Sequence, residues 1–258
     1  MKFNNFSKIT SNILSSRLTG FFRDVLFANY LGANILSDAF LFAYRLPNLF
    51  RRIFAEGAVN SVLIPMFINQ KKENEDRAME FFWSIFLIFL LVTSALSIFV
   101  FIFKTDVISI LAPGFIDNKN QFIFASQLLP ITFPFLIFVT LSAILSSILN
   151  INGKFFLPSF LSVILNVCMI IALFLFKSDA HFALAWSLII AGIIQLLLLF
   201  INLKSLNLIF KLSINGIISN IYYLKIFLKR LSYSIFGSGI VQLNIFISMI
   251  FASLVGEG

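Results

Sequence analysis

Two apolar stretches near the start of the chain contain ionisable residues. The first holds Arg17, Arg23 and Asp24; the second holds Asp38, Arg45, Arg51, Arg52 and Glu56. An ionisable side chain at bilayer depth costs roughly 2.5–3.5 kcal/mol, so it persists where it lines a cavity or pairs with another charge. Guanidinium keeps its charge, and its fork donates two parallel hydrogen bonds that match the oxygens of a phosphate. Five arginines against three acids leave a cationic surplus. The chemistry this points to is capture of an anion in a water-filled, net-positive cavity.

Helical spacing sharpens the pattern. At about 100° per residue, Asp24, Gly20, Ser16, Arg23 and Asn12 all fall within about 140° of Arg17 on one side of a helix. Leu14, Leu18, Phe21, Phe22, Val25 and Leu26 take the opposite arc. In the second stretch Asp38, Arg45, Arg52 and Glu56 share one face of an unbroken helix, and Arg52 and Glu56 are spaced to pair. Pro47 interrupts that regularity, because it removes the hydrogen bond to the Ala43 carbonyl and predicts a kink. A second reading stays open: Arg17, Arg51 and Arg52 can instead snorkel to the headgroups. Arg23 and Asp24 lie too far into their segment for that.

The elements that must position these residues are membrane helices. The 258 residues are 60% hydrophobic and 12% charged, with mean hydropathy +1.00, against about 25% charged in soluble domains. A span needs about 20 apolar residues. Five runs satisfy this: 81–103, 127–149, 155–176, 182–201 and 231–255. Two more, 9–31 and 38–66, do so if their charges are shielded. The fold class expected is therefore all-α and polytopic, with about seven spans. The breaks predict a short turn at 32–38 with Ser37 or Asp38 as the cap. They also predict a mixed-charge loop at 69–80, a longer polar connection at 104–126, tight turns at 150–154 and 177–181, and an interfacial stretch at 204–225. Six helices over 1–203, that linker, and one further helix over 226–258 make up the expected domain organisation.

Loop charge sets orientation. Eleven Lys and Arg residues fall on the side shared by Lys2, Lys72, Lys154 and Lys229. Three (Lys104, Lys119, Lys177) fall on the other. The N-terminus is expected to be cytoplasmic. The net charge of +8 thus reads as a topology signal and not as nucleic-acid binding. One Cys and one His leave no Cys- or His-based metal site, and no nucleotide-binding loop, paired catalytic carboxylates or nucleophile motif is present. No cofactor and no enzymatic activity is expected. Asn166, Gln242 and Asn244, polar residues within apolar runs, read as interhelical hydrogen-bonding groups or as lining of a path.

At the charged residues the sequence resembles a known family. Ser16-Arg-Leu-Thr-Gly-Phe-Phe-Arg-Asp24, Gly32-Ala33, Ser37-Asp-Ala-Phe40, Arg45-Leu-Pro-Asn48, Arg51-Arg-Ile-Phe-Ala-Glu-Gly-Ala58 and Pro65 are similar to the N-terminal signature of the MurJ/MviN family. Ala112-Pro-Gly-Phe115 and Ile148-Leu-Asn150 match later patterns. These are lipid II flippases of the multidrug/oligosaccharidyl-lipid/polysaccharide exporter superfamily. The resemblance implies a bacterial inner-membrane transporter of two six-helix lobes around a cationic cavity. Its partner would be an undecaprenyl-pyrophosphate-linked peptidoglycan precursor moved by alternating access, with membrane lipids around it and a coupling ion or the membrane potential as driving force. It further implies substrate contact by Arg17, Arg23, Arg52 and the neighbouring Arg51, with Asp24, Asp38 and Glu56 compensating or switching those charges. Such proteins are about twice this length, so the chain is expected to be the N-terminal half of one. The competing expectations are an ion-coupled small-molecule exporter of the same superfamily, a membrane enzyme acting on a polyprenyl phosphate, and a non-transporting assembly partner.

Overall fold

A computed structural model describes residues 2–54, 58–177, 179–206, 208 and 220–254, with the side chains of residues 2–8, 52–54, 58, 236–241 and 243 left aside. Among these, ten α-helices follow one another: α1 (Lys2–Tyr30), α2 (Ile35–Phe54), α3 (Ala58–Glu73), α4 (Glu75–Ile102), α5 (Lys104–Leu111), α6 (Lys119–Thr132), α7 (Phe135–Ile151), α8 (Phe156–Leu175), α9 (Ala180–Ser205) and α10 (Ile221–Leu254), with a 3₁₀ turn at Pro113–Ile116. The all-α expectation holds. Glu75–Ile102, Lys119–Ile151, Phe156–Leu175 and Ala180–Ser205 are long and apolar enough to cross a membrane by themselves. The charged α1 and α2 are not among them, as their composition foretold.

Several expected boundaries move, each for a local reason. The segment 38–66 is two helices, α2 and α3, and residues 55–57 between them lie outside the described set. The mixed-charge stretch at 69–80 is not a loop: α3 runs to Glu73 and α4 starts at Glu75. Asn74 alone breaks the helix, and its side chain accepts from the Arg77 N–H at 3.0 Å as an N-cap. The polar connection at 104–126 is largely helical, holding α5, the 3₁₀ turn and the start of α6, which Asn118 caps. Helix α10 starts ten residues before the expected span. At the first turn the cap is Asn34, whose Oδ1 accepts from the N–H groups of Leu36 and Ser37 at 2.9 and 3.0 Å. Ser37 answers by accepting from the Asn34 N–H at 3.0 Å, a reciprocal box. The tight turn at 150–154 is as expected: Gly153 takes φ +73°, and the Lys154 N–H reaches back to the Leu149 carbonyl at 2.8 Å.

Two buried clusters divide the bundle by depth. One gathers α2, α6, the last turns of α8 and the first turns of α9; the other gathers α3, the first half of α4, the later turns of α7 and α9, and the start of α10. Without a hydrophobic drive between helices in lipid, close approach comes from small residues and interhelical hydrogen bonds. A Cβ on Gly192 of α9 would lie 2.5 Å from the Phe138 Cβ of α7. Gln195 donates to the Leu161 carbonyl of α8 at 2.8 Å.

Pro47 sits inside α2, which runs on through it. The Ala43 carbonyl that Pro47 leaves without its helical partner accepts instead from the buried Thr132 hydroxyl of α6 at 2.7 Å. An orphaned carbonyl in hydrocarbon would cost several kcal/mol. The proline therefore ties α2 to α6 instead of breaking it.

Candidate functional site

Helix α1 packs chiefly on α8. Near the turn that joins it to α2 the two helices touch, with Phe27 and Phe40 rings 5.7 Å apart. Away from that turn a cavity of about 530 Å³ opens between α1 and α2, floored by α7, α8 and α9. It extends to Asn150 and Pro158, at the end of the bundle that carries the Lys154 turn.

Arg23 of α1 and Arg51 of α2 both line it. Arg23 is held from two sides. Its Nε and Nη2 donate to Asp24 Oδ1 at 2.9 and 2.7 Å, and its Nη1 donates to Asn166 Oδ1 of α8 at 2.9 Å. The same Asn166 donates through Nδ2 to the Ser16 carbonyl at 3.1 Å and to Thr19 Oγ1 at 3.2 Å. One buried amide thus fastens α8 to α1 and fixes the direction of the guanidinium. Asn12 adds a second tie, donating to the Phe156 carbonyl and to Ser159 Oγ at 3.0 and 2.7 Å. Arg51 Nε donates to Asn48 Oδ1 at 3.2 Å, and Asn48 Nδ2 donates to the Tyr44 carbonyl at 2.9 Å. Each guanidinium is therefore oriented by an asparagine, and Arg23 retains further N–H groups for a ligand.

The polar stripe of α1 splits. Asn12, Ser16, Gly20 and Arg23 turn to α8 or the cavity, while Arg17 and Asp24 sit on the exposed edge. The Asp24 side chain is 67% exposed against 21% for Arg23. The apolar arc of Leu14, Leu18, Phe21, Phe22 and Val25 is exposed, the face a bilayer would cover. Asp38 is elsewhere. With Arg45 and Asp117 it lines a separate cavity of about 750 Å³ at the opposite end, bordered by the 3₁₀ turn and the last residues of α10. The side chains of Arg52 and Glu56, and with them the expected pair, lie outside the described residues. Of the seven residues singled out, the structure brings Arg23 and Arg51 to one cavity. It places Arg17 and Asp24 at the exposed edge beside it and Asp38 apart.

Sequence reasoning missed several wall residues: Asn48, Asn60, Ser142, Ser146 and Gln195. Ser142 and Ser146, one helical turn apart in an apolar run, carried a signal of the kind that singled out Asn166.

A family model described as "Lipid II flippase MurJ" matches residues 27–258. Proteins named probable lipid II flippase MurJ are similar throughout. That of Buchnera aphidicola subsp. Schizaphis graminum is 39% identical over 249 residues, covering 95% of this chain and 48% of the relative. That of Aquifex aeolicus is 36% identical over 251 residues, covering 95% and 48%. A solved structure of lipid II flippase MurJ in an inward closed conformation superposes with TM-score 0.82 at 29% identity, covering 96% of this chain and 51% of that one. The chain spans about half the length of the curated relatives it matches.

Proposed function

The chain belongs to the MurJ family, and on that premise we propose that it forms the N-terminal lobe of a lipid II flippase. The precursor would move from the cytoplasmic to the periplasmic face of the inner membrane, with this lobe supplying cationic groups for its diphosphate. The reading makes the protein a transporter and not an enzyme. One observation carries it: Arg23 and Arg51, on two helices that part from a common turn, line a single cavity to which no described carboxylate contributes. That cavity faces the cytoplasm if the lysine-rich loops do, so a headgroup made in the cytoplasm would find it open.

In this scheme Arg23 and Arg51 make the first charge-assisted contacts with phosphate oxygens. Arg17, exposed on the neighbouring edge, and Arg52, one residue beyond Arg51, would complete the cationic wall facing the second lobe. Asp24 already holds Arg23 and would exchange it with the arriving anion. Glu56 and Asp38 would act likewise on Arg52 and Arg45 as the lobes reorient, driven by a coupling ion or the membrane potential. An ion-coupled exporter of small molecules would instead place acids in the cavity wall.

The test is rescue. The chain, joined to the second half of a family member, should restore growth to cells depleted of lipid II export. Arg23→Ala in that fusion should abolish the rescue, with the protein still present in the membrane. Full rescue by the Arg23→Ala fusion would remove the assigned role.

A further inference from the structure

Buried hydroxyls in this bundle follow a rule. Ser84, Thr93, Ser97, Ser147 and Ser187 each donate to a carbonyl three or four residues back in their own helix, at 2.6 to 2.8 Å. That back-bond is the ordinary solution for a hydroxyl in an apolar helix. Ser142 and Ser146 of α7 break the rule. They are 1% and 8% exposed, their Oγ atoms have no hydrogen-bond partner among the described residues, and both residues line the cavity that Arg23 and Arg51 share. Thr140 also lacks a partner but does not line the cavity.

We infer that Ser142 and Ser146 form the neutral half of an anion-binding chamber whose cationic half is Arg23 and Arg51, and that they donate hydrogen bonds to a bound diphosphate. The inference rests on the proposed function and adds its ligand-contacting residues. A hydroxyl with no bond to lose turns about χ1 into the cavity at little cost, since staggered rotamers are close in energy. Once there it meets an acceptor that, being ionised, makes a bond about twice as strong as a neutral one. A bound cation is disfavoured by two guanidiniums in the same wall. The two serines stand one turn apart on one face of α7, so both can reach neighbouring oxygens of one diphosphate, while the arginines approach from α1 and α2.

The experiment uses the 258-residue chain in detergent micelles, titrated calorimetrically with inorganic pyrophosphate and, in a second arm, with a polyprenyl pyrophosphate. Ser142→Ala and Ser146→Ala should each weaken binding about tenfold or more, the scale of a hydrogen bond to a charged group. Their thermal midpoints should stay level or rise, since neither hydroxyl is bonded in the unliganded protein. Ser146→Cys keeps the volume with a weak donor and should bind like the alanine variant. Ser97→Ala, which loses a back-bonded hydroxyl in α4, should bind like the parent. Serine dependence in either arm supports the chamber, and the arm that shows it identifies the source of the diphosphate. If Arg23→Ala weakens binding and the serine variants do not, the inference falls while the cationic cavity stands. If the parent binds in neither arm, or Arg23→Ala has no effect, the cavity itself falls and takes the serines with it. Loss of binding in Ser97→Ala to the same degree would mark a structural effect and overturn the inference.

Discussion

The two ends of α2 are built differently. Around Arg51 the helix borders an open cavity whose wall is cationic and hydroxyl-rich, and its neighbour α1 stands off on α8. Around Asp38 it borders a mixed-charge pocket flanked by the 3₁₀ turn at Pro113–Ile116 and the end of α10, where the Gly114 N–H donates to Ser253 Oγ at 3.3 Å. A Cβ on Gly114 would sit 1.8 Å from the Ser253 carbonyl oxygen. The contact between the 3₁₀ turn and α10 therefore depends on a missing side chain. Pro47 stands between the two ends, where Thr132 takes up the freed Ala43 carbonyl.

The largest effect that would sharpen this contrast lies at the open end. Arg23→Ala should lower lipid II transport by the completed protein on the order of 100-fold or more, the scale of removing one partner of a hydrogen-bonded charge pair. Transport by vesicles containing the fused protein measures it, and a change under threefold would break the assignment. At the Asp38 end, in a Cys168→Ala background, Met249→Cys places a thiol at a buried position in the wall of the mixed-charge pocket. Adding Gly114→Ala should raise its labelling by a membrane-impermeant maleimide about tenfold, because a Cβ there cannot coexist with the seated α10. Equal labelling with and without Gly114→Ala would show that the burial of this position does not rest on that contact.

Between the ends, Thr132→Val should cost about 1–3 kcal/mol by leaving the Ala43 carbonyl buried and unpaired. Denaturant unfolding in micelles reads this, and a loss under about 0.5 kcal/mol would mean that α2 closes its own gap at Pro47. The smallest effect is expected outside both cavities. Lys71 and Glu75 pair at 2.9 Å across the α3–α4 junction with the Glu75 side chain 62% exposed. Glu75→Gln should change stability by less than about 0.5 kcal/mol, as screened surface pairs do. A larger loss would tie this junction to the α2–α3 unit.

Much of the fold was legible because membrane burial writes itself into long apolar runs. Four of the spans announced themselves in this way, and the charged α1 and α2 stood out by contrast. Boundaries were less legible where a single residue makes the break: Asn74 divides two helices inside a stretch whose charge density reads as loop. The 104–126 connection folded into helices because Asn118 caps α6 and both α5 and α6 pack on their neighbours, a tertiary gain that local polarity does not reveal. In the candidate site, Arg23 and Arg51 were found by charge. Asn166 was found as a polar residue, but its grip on both Arg23 and the α1 backbone was not. Ser142 and Ser146 looked like any of the serines that bond back to their own helix.

By itself the sequence determined that this is a helical membrane protein, that its costly charges cluster in the first two segments, and that they are arginine-rich. Those are properties of composition and period, set by the free energy of placing groups in hydrocarbon. Only the tertiary structure decided which charges meet. Helical angle places Arg17, Arg23 and Asp24 on one stripe, yet the packing of α1 on α8 divides that stripe, turning Arg23 inward and leaving Arg17 and Asp24 at the edge. It likewise sent Asp38 to the mixed-charge pocket and Arg51 to the cavity that Arg23 lines. The reason is geometric: a helix fixes the angles among its own side chains, and only its neighbours determine what those angles face.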